Sequence, residues 1–241
     1  MSATTWAAKR FWTSGAAVKI EGGFGVNLDG RPIKTPAKSA LVVPTQALAE
    51  AILAEWLAQE KLIRPETMPF TRMANSAIDK VLVQFKEVAD FVAAYGASDL
   101  LCYRATHPQE LINRQAEAWD PVLKWTQRRF NAPLAVQSGV MPLQQDLVSV
   151  EKLRAVVHSF GHFEIAALHD LVAISGSLIL ALAVMESNLS VADIWEVSRI
   201  DETWQNEQWG ADDEAIAAET VRREDLFLAA RFLDCLRIVG T

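Results

Sequence analysis

Ala17-Val18-Lys19-Ile20-Glu21-Gly22-Gly23-Phe24-Gly25-Val26-Asn27-Leu28-Asp29-Gly30 is the stretch that decides the fold class. Ala17 to Ile20 alternates, Glu21-Gly22-Gly23 reads as a turn, and Phe24 to Leu28 reads as a second strand. Asp29-Gly30 is a strong hairpin signal, because glycine tolerates the positive φ that a tight turn needs. Arg31 to Pro36 reads as extended, with prolines that suit edge positions. Ser39 to Val43 is a further short run of strand formers. A small antiparallel sheet of about three or four strands is expected. Gly22-Gly23-Phe24-Gly25 on its own suggests a phosphate loop. It lacks the Gly-Lys-Ser/Thr ending, no helix follows directly, and there is no dinucleotide fingerprint, so a hairpin turn is the reading.

Downstream of Pro44 the pattern is helical throughout. Thr45 is placed to cap a helix running to about Gln59, with Leu48, Ile52 and Trp56 on one face. Short helices are expected at 71–79 and 81–95, the second closed by Gly96. Residues 111–130 read either as two helices, with Asp120 capping the second and Pro121 at its first position, or as one kinked helix. Residues 148–160 are amphipathic. Residues 163–186 form a long apolar segment in which Gly176 offers a place for close packing or a bend. Ser190 is expected to cap one helix that ends at Gly210, and Asp213 to start the last helix. Strands segregated from helices mean α+β: a small antiparallel β-rich N-terminal domain (1–70, including one helix) followed by a larger all-helical C-terminal domain (71–241). Arg72 and Asp79 fall near that boundary and are expected to serve architecture.

Composition narrows the function. With 241 residues, 51% hydrophobic and 22% charged, the chain is ordinary globular protein that needs no disulfide or metal to fold. Its net charge of −7 argues against nucleic-acid binding, which relies on Lys and Arg to neutralise phosphates. An acidic surface suits a basic partner. Cys102 and Cys235 are far apart and outside any CxxC pair, so both are expected as reduced core thiols. Met1 to Gly15 lacks the apolar run of a signal peptide and the arginine-rich stretch of a transit peptide. The most apolar run, 171–185, falls short of the roughly 20 residues that span a bilayer, so no membrane insertion is expected.

Candidate chemistry is sparse. His158 and His162 lie four apart near Glu164, but Gly161 interrupts the helical register and no HExxH pattern is present, so no metal is expected. Glu202 and Glu207 lie roughly 140° apart around a helix and do not converge as an acid/base pair. Asp212-Asp213-Glu214 reads as an acidic helix start. No GxSxG serine and no Cys/His pair is evident. No catalytic residue and no cofactor are therefore assigned. The stretch that remains is Asp201-Glu202-Thr203-Trp204-Gln205-Asn206-Glu207-Gln208-Trp209-Gly210. On a helix, Glu202 with Asn206 and Gln205 with Trp209 share faces, so aromatic rings lie beside amides and carboxylates. Such a face either grips another protein or places two core tryptophans beside a solvated acidic side.

Gly22-Gly23, Leu28-Asp29-Gly30-Arg31, Lys34-Thr35-Pro36, Ala54-Glu55-Trp56, Met68-Pro69, Thr71-Arg72, Ala77-Ile78-Asp79, Cys102-Tyr103-Arg104, Arg114-Gln115, Trp119-Asp120-Pro121 and Gln208-Trp209-Gly210 occur in that order. In this collinear set the chain resembles the F(1)-ATP synthase assembly chaperones that attend the alpha subunit. The resemblance implies a non-enzymatic protein without metal that binds the unassembled alpha subunit and shields the surface that pairs with the beta subunit. The mixed face supplies the expected contact, with Trp204 and Trp209 as anchors and Glu202, Gln205 and Glu207 as rim or orienting groups, and a monomer without cofactor is expected. Without a transit peptide, a bacterial member working in the cytoplasm is expected. A helical enzyme with an unrecognised carboxylate site and a helical scaffold module are the alternative classes.

Overall fold

The computed structural model describes residues 9–238. Residues 1–8, part of the stretch read above for targeting signals, lie outside the described residues. The architecture is α+β as expected, with a small N-terminal antiparallel sheet and helices after it. By contacts the chain divides into two compact units. Of the described residues, the first holds 9–85, 162–166 and 231–238, and the second holds 86–161 and 167–230.

In the first unit, β1 (Gly15–Ile20) and β2 (Gly23–Leu28) form the expected hairpin, with Gly15 opposite Leu28 and Ile20 opposite Gly23. Asp29 and Gly30 both take positive φ in the next turn, and β3 is only Arg31–Pro32. The run 39–43 pairs through reciprocal 2.8 Å bonds between Phe24 and Val43 and an isolated bridge from Ala40 to Lys34. Prolines 32 and 36 lack the N–H a ladder needs, so the outer strands expected from composition shrink to fragments. Val26 and Leu28 on the buried face of β2 pack with Leu48, Ala49 and Ile52 of α1 (Gln46–Leu57).

Thr45 caps α1 by accepting from Leu48 N, and its hydroxyl donates to the Cys235 carbonyl at 2.6 Å. Trp56 is only partly buried, edge-on to Trp12 at 5.2 Å. Its neighbour Glu55 takes on a capping role. The Glu55 carboxylate accepts from the Phe70 and Thr71 amides and the Thr71 hydroxyl at 2.7–2.8 Å, closing the start of α2 (Pro69–Ser76). Asp79, in the π-helical turn Ala77–Val81, accepts from Thr35 Oγ1 and Ala37 N, which braces the loop after β3.

In the second unit, α3 (Phe85–Ala94) ends before Gly96. Gly96 lies in the 3₁₀ turn Tyr95–Ala97 and not in the left-handed region; a Cβ there would meet Leu178 and Leu153 at 3.2 and 3.4 Å. It serves close packing rather than a cap. The next helix, α4 (Gln109–Phe130), runs unbroken through Pro121. The carbonyl that loses its donor four residues back belongs to Glu117, an exposed residue. Asp120 caps nothing and pairs instead with Arg104 at 2.8 Å. Arg104 lies in β4 (Tyr103–Arg104), which pairs in parallel with β5 (Gln137–Ser138). After α5 (Leu147–His158), the long apolar segment divides into α6 (His162–Ser175) and α7 (Leu178–Met185). Gly176 between them takes φ +72, a left-handed conformation that interrupts a helix. Among the described residues, no helix is long and apolar enough to cross a membrane.

Every residue of α7 is buried, each large aliphatic side chain contributing about 2 kcal/mol of hydrophobic stabilisation. Its N-terminus therefore needs internal partners. Ser177 Oγ accepts from Leu180 N, and the wholly buried Asp99 accepts from Ser177 Oγ at 2.7 Å and Ile179 N at 3.0 Å. Burial raises the Asp99 carboxyl from 3.8 to about 6, against the lowering effect of these donors. It also lifts the nearby Cys102 thiol to about 12. Cys102 is the core thiol expected; Cys235 is only half-buried. The remaining helices are α8 (Val191–Ser198), α9 (Ile200–Trp209) and α10 (Asp213–Arg237). The single helix expected from Ser190 to Gly210 is thus two, broken at Arg199, whose φ and ψ of −106° and 13° leave the helical range.

Asp99 yields a pH prediction. The folded protein keeps this proton up to about pH 6, whereas the unfolded chain loses it near 3.8. The contribution is therefore fully present below the unfolded value and is lost as pH rises through the folded one. The difference in unfolding free energy between wild type and Asp99→Asn should shift against wild type by up to about 3 kcal/mol across that window. Urea denaturation of both proteins at a series of pH values measures it, and a flat difference would contradict the shift.

Candidate functional site

The face carrying Trp204 and Trp209 is held by α4. Two successive turns of α4 supply three anchors. The Trp119 indole N–H, fully buried, donates to the Val197 carbonyl at 2.8 Å near the end of α8. One turn earlier, Gln115 donates to Asp201 Oδ1 at 2.6 Å while its own oxygen accepts from Ala105 N at 2.8 Å. Arg114 reaches Glu207 at 2.8 Å and lies 4.8 Å from the centre of the Trp204 ring. The hydrogen bond from Arg114 holds the Glu207 carboxyl below its usual range and raises the guanidinium's own pKa. At the start of α9, Arg199 pairs with Glu202 at 2.9 Å and stacks on Trp195 at 5.6 Å.

These contacts leave a cleft of about 580 Å³. One wall is α9, through Asp201, Trp204, Gln205, Gln208 and Trp209. The other is formed by the segment 103–108 and the 139–140 turn, with Leu111 and Gln115 of α4 between. Trp209 is 79% exposed and Val140 94% exposed. Large apolar groups left this open beside a concave surface are typical of a binding face.

Of the five residues singled out in the sequence, Trp204, Gln205 and Trp209 line the cleft. Glu202 and Glu207 face arginines instead and fix the pose of α9. The spacing rule for Gln205 and Trp209 holds, since both are exposed on the same helix. Arg199 could have been found from its i,i+3 spacing to Glu202. The partnership of Arg114 with Glu207 spans 93 residues and has no local signature. Val140, in the turn after β5, has no local sequence signature.

His158 and His162 are engaged elsewhere. His158 Nε2 is 2.7 Å from Asp90, whose carboxyl is lowered to about 2, first by His158 and then by Arg154. The His162 ring lies against Phe163 at 4.5 Å. Among the described residues, no three His, Cys, Asp or Glu side chains are grouped to hold a metal.

Comparison with known proteins accords with this picture. A family model described as ATP12 chaperone protein matches residues 9–127. The crystal structure of Atp12 from Paracoccus denitrificans superposes with a TM-score of 0.92 at 47% identity, covering 95% of this chain and 99% of that one. This chain belongs to the ATP12 chaperone family. The Atu1473 protein of Agrobacterium tumefaciens is similar at 38% identity, with a TM-score of 0.90 over 95% of this chain and 86% of that one. The mitochondrial protein atp12 of Schizosaccharomyces pombe is 24% identical over 233 residues, 90% of this chain and 78% of the relative. The whole-chain superposition on bacterial Atp12 extends over the second unit, where the cleft lies.

Arg114→Ala tests the hold on α9. An exposed ion pair and an exposed cation–π contact contribute little, so Tm should fall by only a few degrees (about 2–4). Chymotryptic cleavage after Trp204 and Trp209 should accelerate well beyond that of wild type. Unchanged cleavage would mean that Gln115 and Trp119 suffice.

Proposed function

We propose that this ATP12-family protein is a non-enzymatic assembly chaperone for ATP synthase. It binds the unassembled F(1) alpha subunit, covers the surface that later meets the beta subunit, and lets go during assembly. It does so as a monomer in the bacterial cytoplasm. The observation that carries the reading is Trp209, 79% exposed on the wall of a cleft, in a chain of the ATP12 family.

The physical logic is that of a temporary cap. A lone subunit of an obligate oligomer exposes a large apolar face and risks aggregation. A cap that must later leave works best with a few aromatic anchors inside a polar, charged rim. Trp209 and Trp204 are the anchors, with Gln205 between them to orient polar groups of the client. Glu207, clasped by Arg114, sets the pose of the anchors. Glu202 remains about half exposed beside Arg199 and faces a basic group of the client. A carboxylate enzyme draws no support from the cleft, because the acid that lines it, Asp201, is already engaged by Gln115 at 2.6 Å.

The decisive experiment is competition. Isolated alpha subunit should stay soluble and co-purify with this protein, and added beta subunit should release it. Trp209→Ala should weaken alpha binding roughly tenfold, the effect of removing an interface anchor. Glu202→Lys should weaken it with an unchanged circular dichroism spectrum. Failure of wild type to hold alpha, or a complex indifferent to beta, would refute the reading.

A further inference from the structure

Residues 191–220 contain nine carboxylates (Asp193, Glu196, Asp201, Glu202, Glu207, Asp212, Asp213, Glu214, Glu219) against one arginine, Arg199. That is a net charge of −8, while the whole chain carries −7, so everything outside this stretch sums to +1. The acidity of the protein is therefore local. It belongs to α8, α9 and the start of α10, the elements that build and flank one wall of the cleft. Asp212, Asp213 and Glu214 follow Trp209 within five residues, a reach of at most about 18 Å. All three are exposed.

The cleft itself is prepared for apolar contact. Its buried polar groups are already paired: Gln115 joins Ala105 to Asp201, and Arg104, 7% exposed, is neutralised by Asp120 at 2.8 Å. An occupant need not supply hydrogen bonds at the floor. It finds Leu111, Val140 and Trp209 as apolar surface. A volume of about 580 Å³ accommodates a few side chains, not the face of a folded subunit.

We propose that this cleft takes an exposed polypeptide segment in which a bulky apolar side chain is flanked by lysine or arginine. The apolar group enters between Trp209 and Val140, and the flanking cations face the carboxylates around the mouth. Charge complementarity selects this occupant over a second copy of the chain, whose mouth is equally acidic. This rests on the chaperone reading and names the kind of client sequence seized first.

The test uses full-length protein and a short fluorescein-labelled peptide with a central Leu-Phe pair flanked on both sides by lysine. Fluorescence polarisation should report saturable binding. Affinity should fall roughly tenfold or more when glutamate replaces the lysines, when serine replaces Leu-Phe, or when the protein carries Val140→Asp or Trp209→Ala. Both substituted side chains are largely in water, so the fold is spared. Raising salt well above physiological strength, where screening acts within about 8 Å, should weaken the lysine peptide alone. Equal binding of lysine- and glutamate-flanked peptides, or wild-type peptide affinity in both variants, overturns the proposal. Isolated alpha subunit, assayed in parallel, separates the two readings. If wild type holds alpha and releases it to beta while both variants do so equally well, the cleft and the anchoring role of Trp209 are overturned and only the chaperone activity remains. Peptide selectivity in a protein that ignores alpha supports the cleft and removes only the named client.

Discussion

The grip of α4 on the two helices after Ser190 is the constraint on which the rest of the site depends. Trp119, Gln115 and Arg114 lie within two turns of one helix and meet Val197, Asp201 and Glu207 in the opposite order along the chain. The first two contacts are part-buried and the third is open to water. Strength therefore declines toward the tip of α9, since exposed ion pairs contribute little. The tip carries Trp209. A binding element whose root is fixed and whose end is lightly tethered can adjust to a client while its base stays in register.

Gln115 matters for a second reason. One amide spans the cleft, with its oxygen on Ala105 and its nitrogen on Asp201. The two walls are thereby held by a single buried side chain that has both its polar atoms satisfied. Buried polar groups satisfied in this way define geometry more than they add stability.

Much of the fold is legible in local chemistry. Asp29-Gly30, Thr45, Ser190 and Gly210 each act where their residue type predicts, because turns and caps are decided within a few residues. What local chemistry leaves open is decided by distant partners. Asp120 before Pro121 could cap a second helix or sit within one, and it pairs with Arg104 inside a single helix. Gly176 in the apolar run 163–186 offers close packing or a bend, and Asp99, nearly eighty residues earlier, supplies the acceptors that let a new helix start after it. The candidate site divides the same way. The aromatic and amide spacing of Trp204, Gln205 and Trp209 is visible in the sequence. The diversion of Glu202 and Glu207 to arginines is legible only for the near neighbour, Arg199.

The buried helix α7 has a consequence for how the protein opens. All eight of its residues are buried, and the groups that satisfy its first turn are themselves internal. No fraying of a surface turn can expose these amides. Deuterium can enter them only when the second unit comes apart as a whole, so α7 is a built-in gauge of global opening, insensitive to whatever the rim of the cleft is doing.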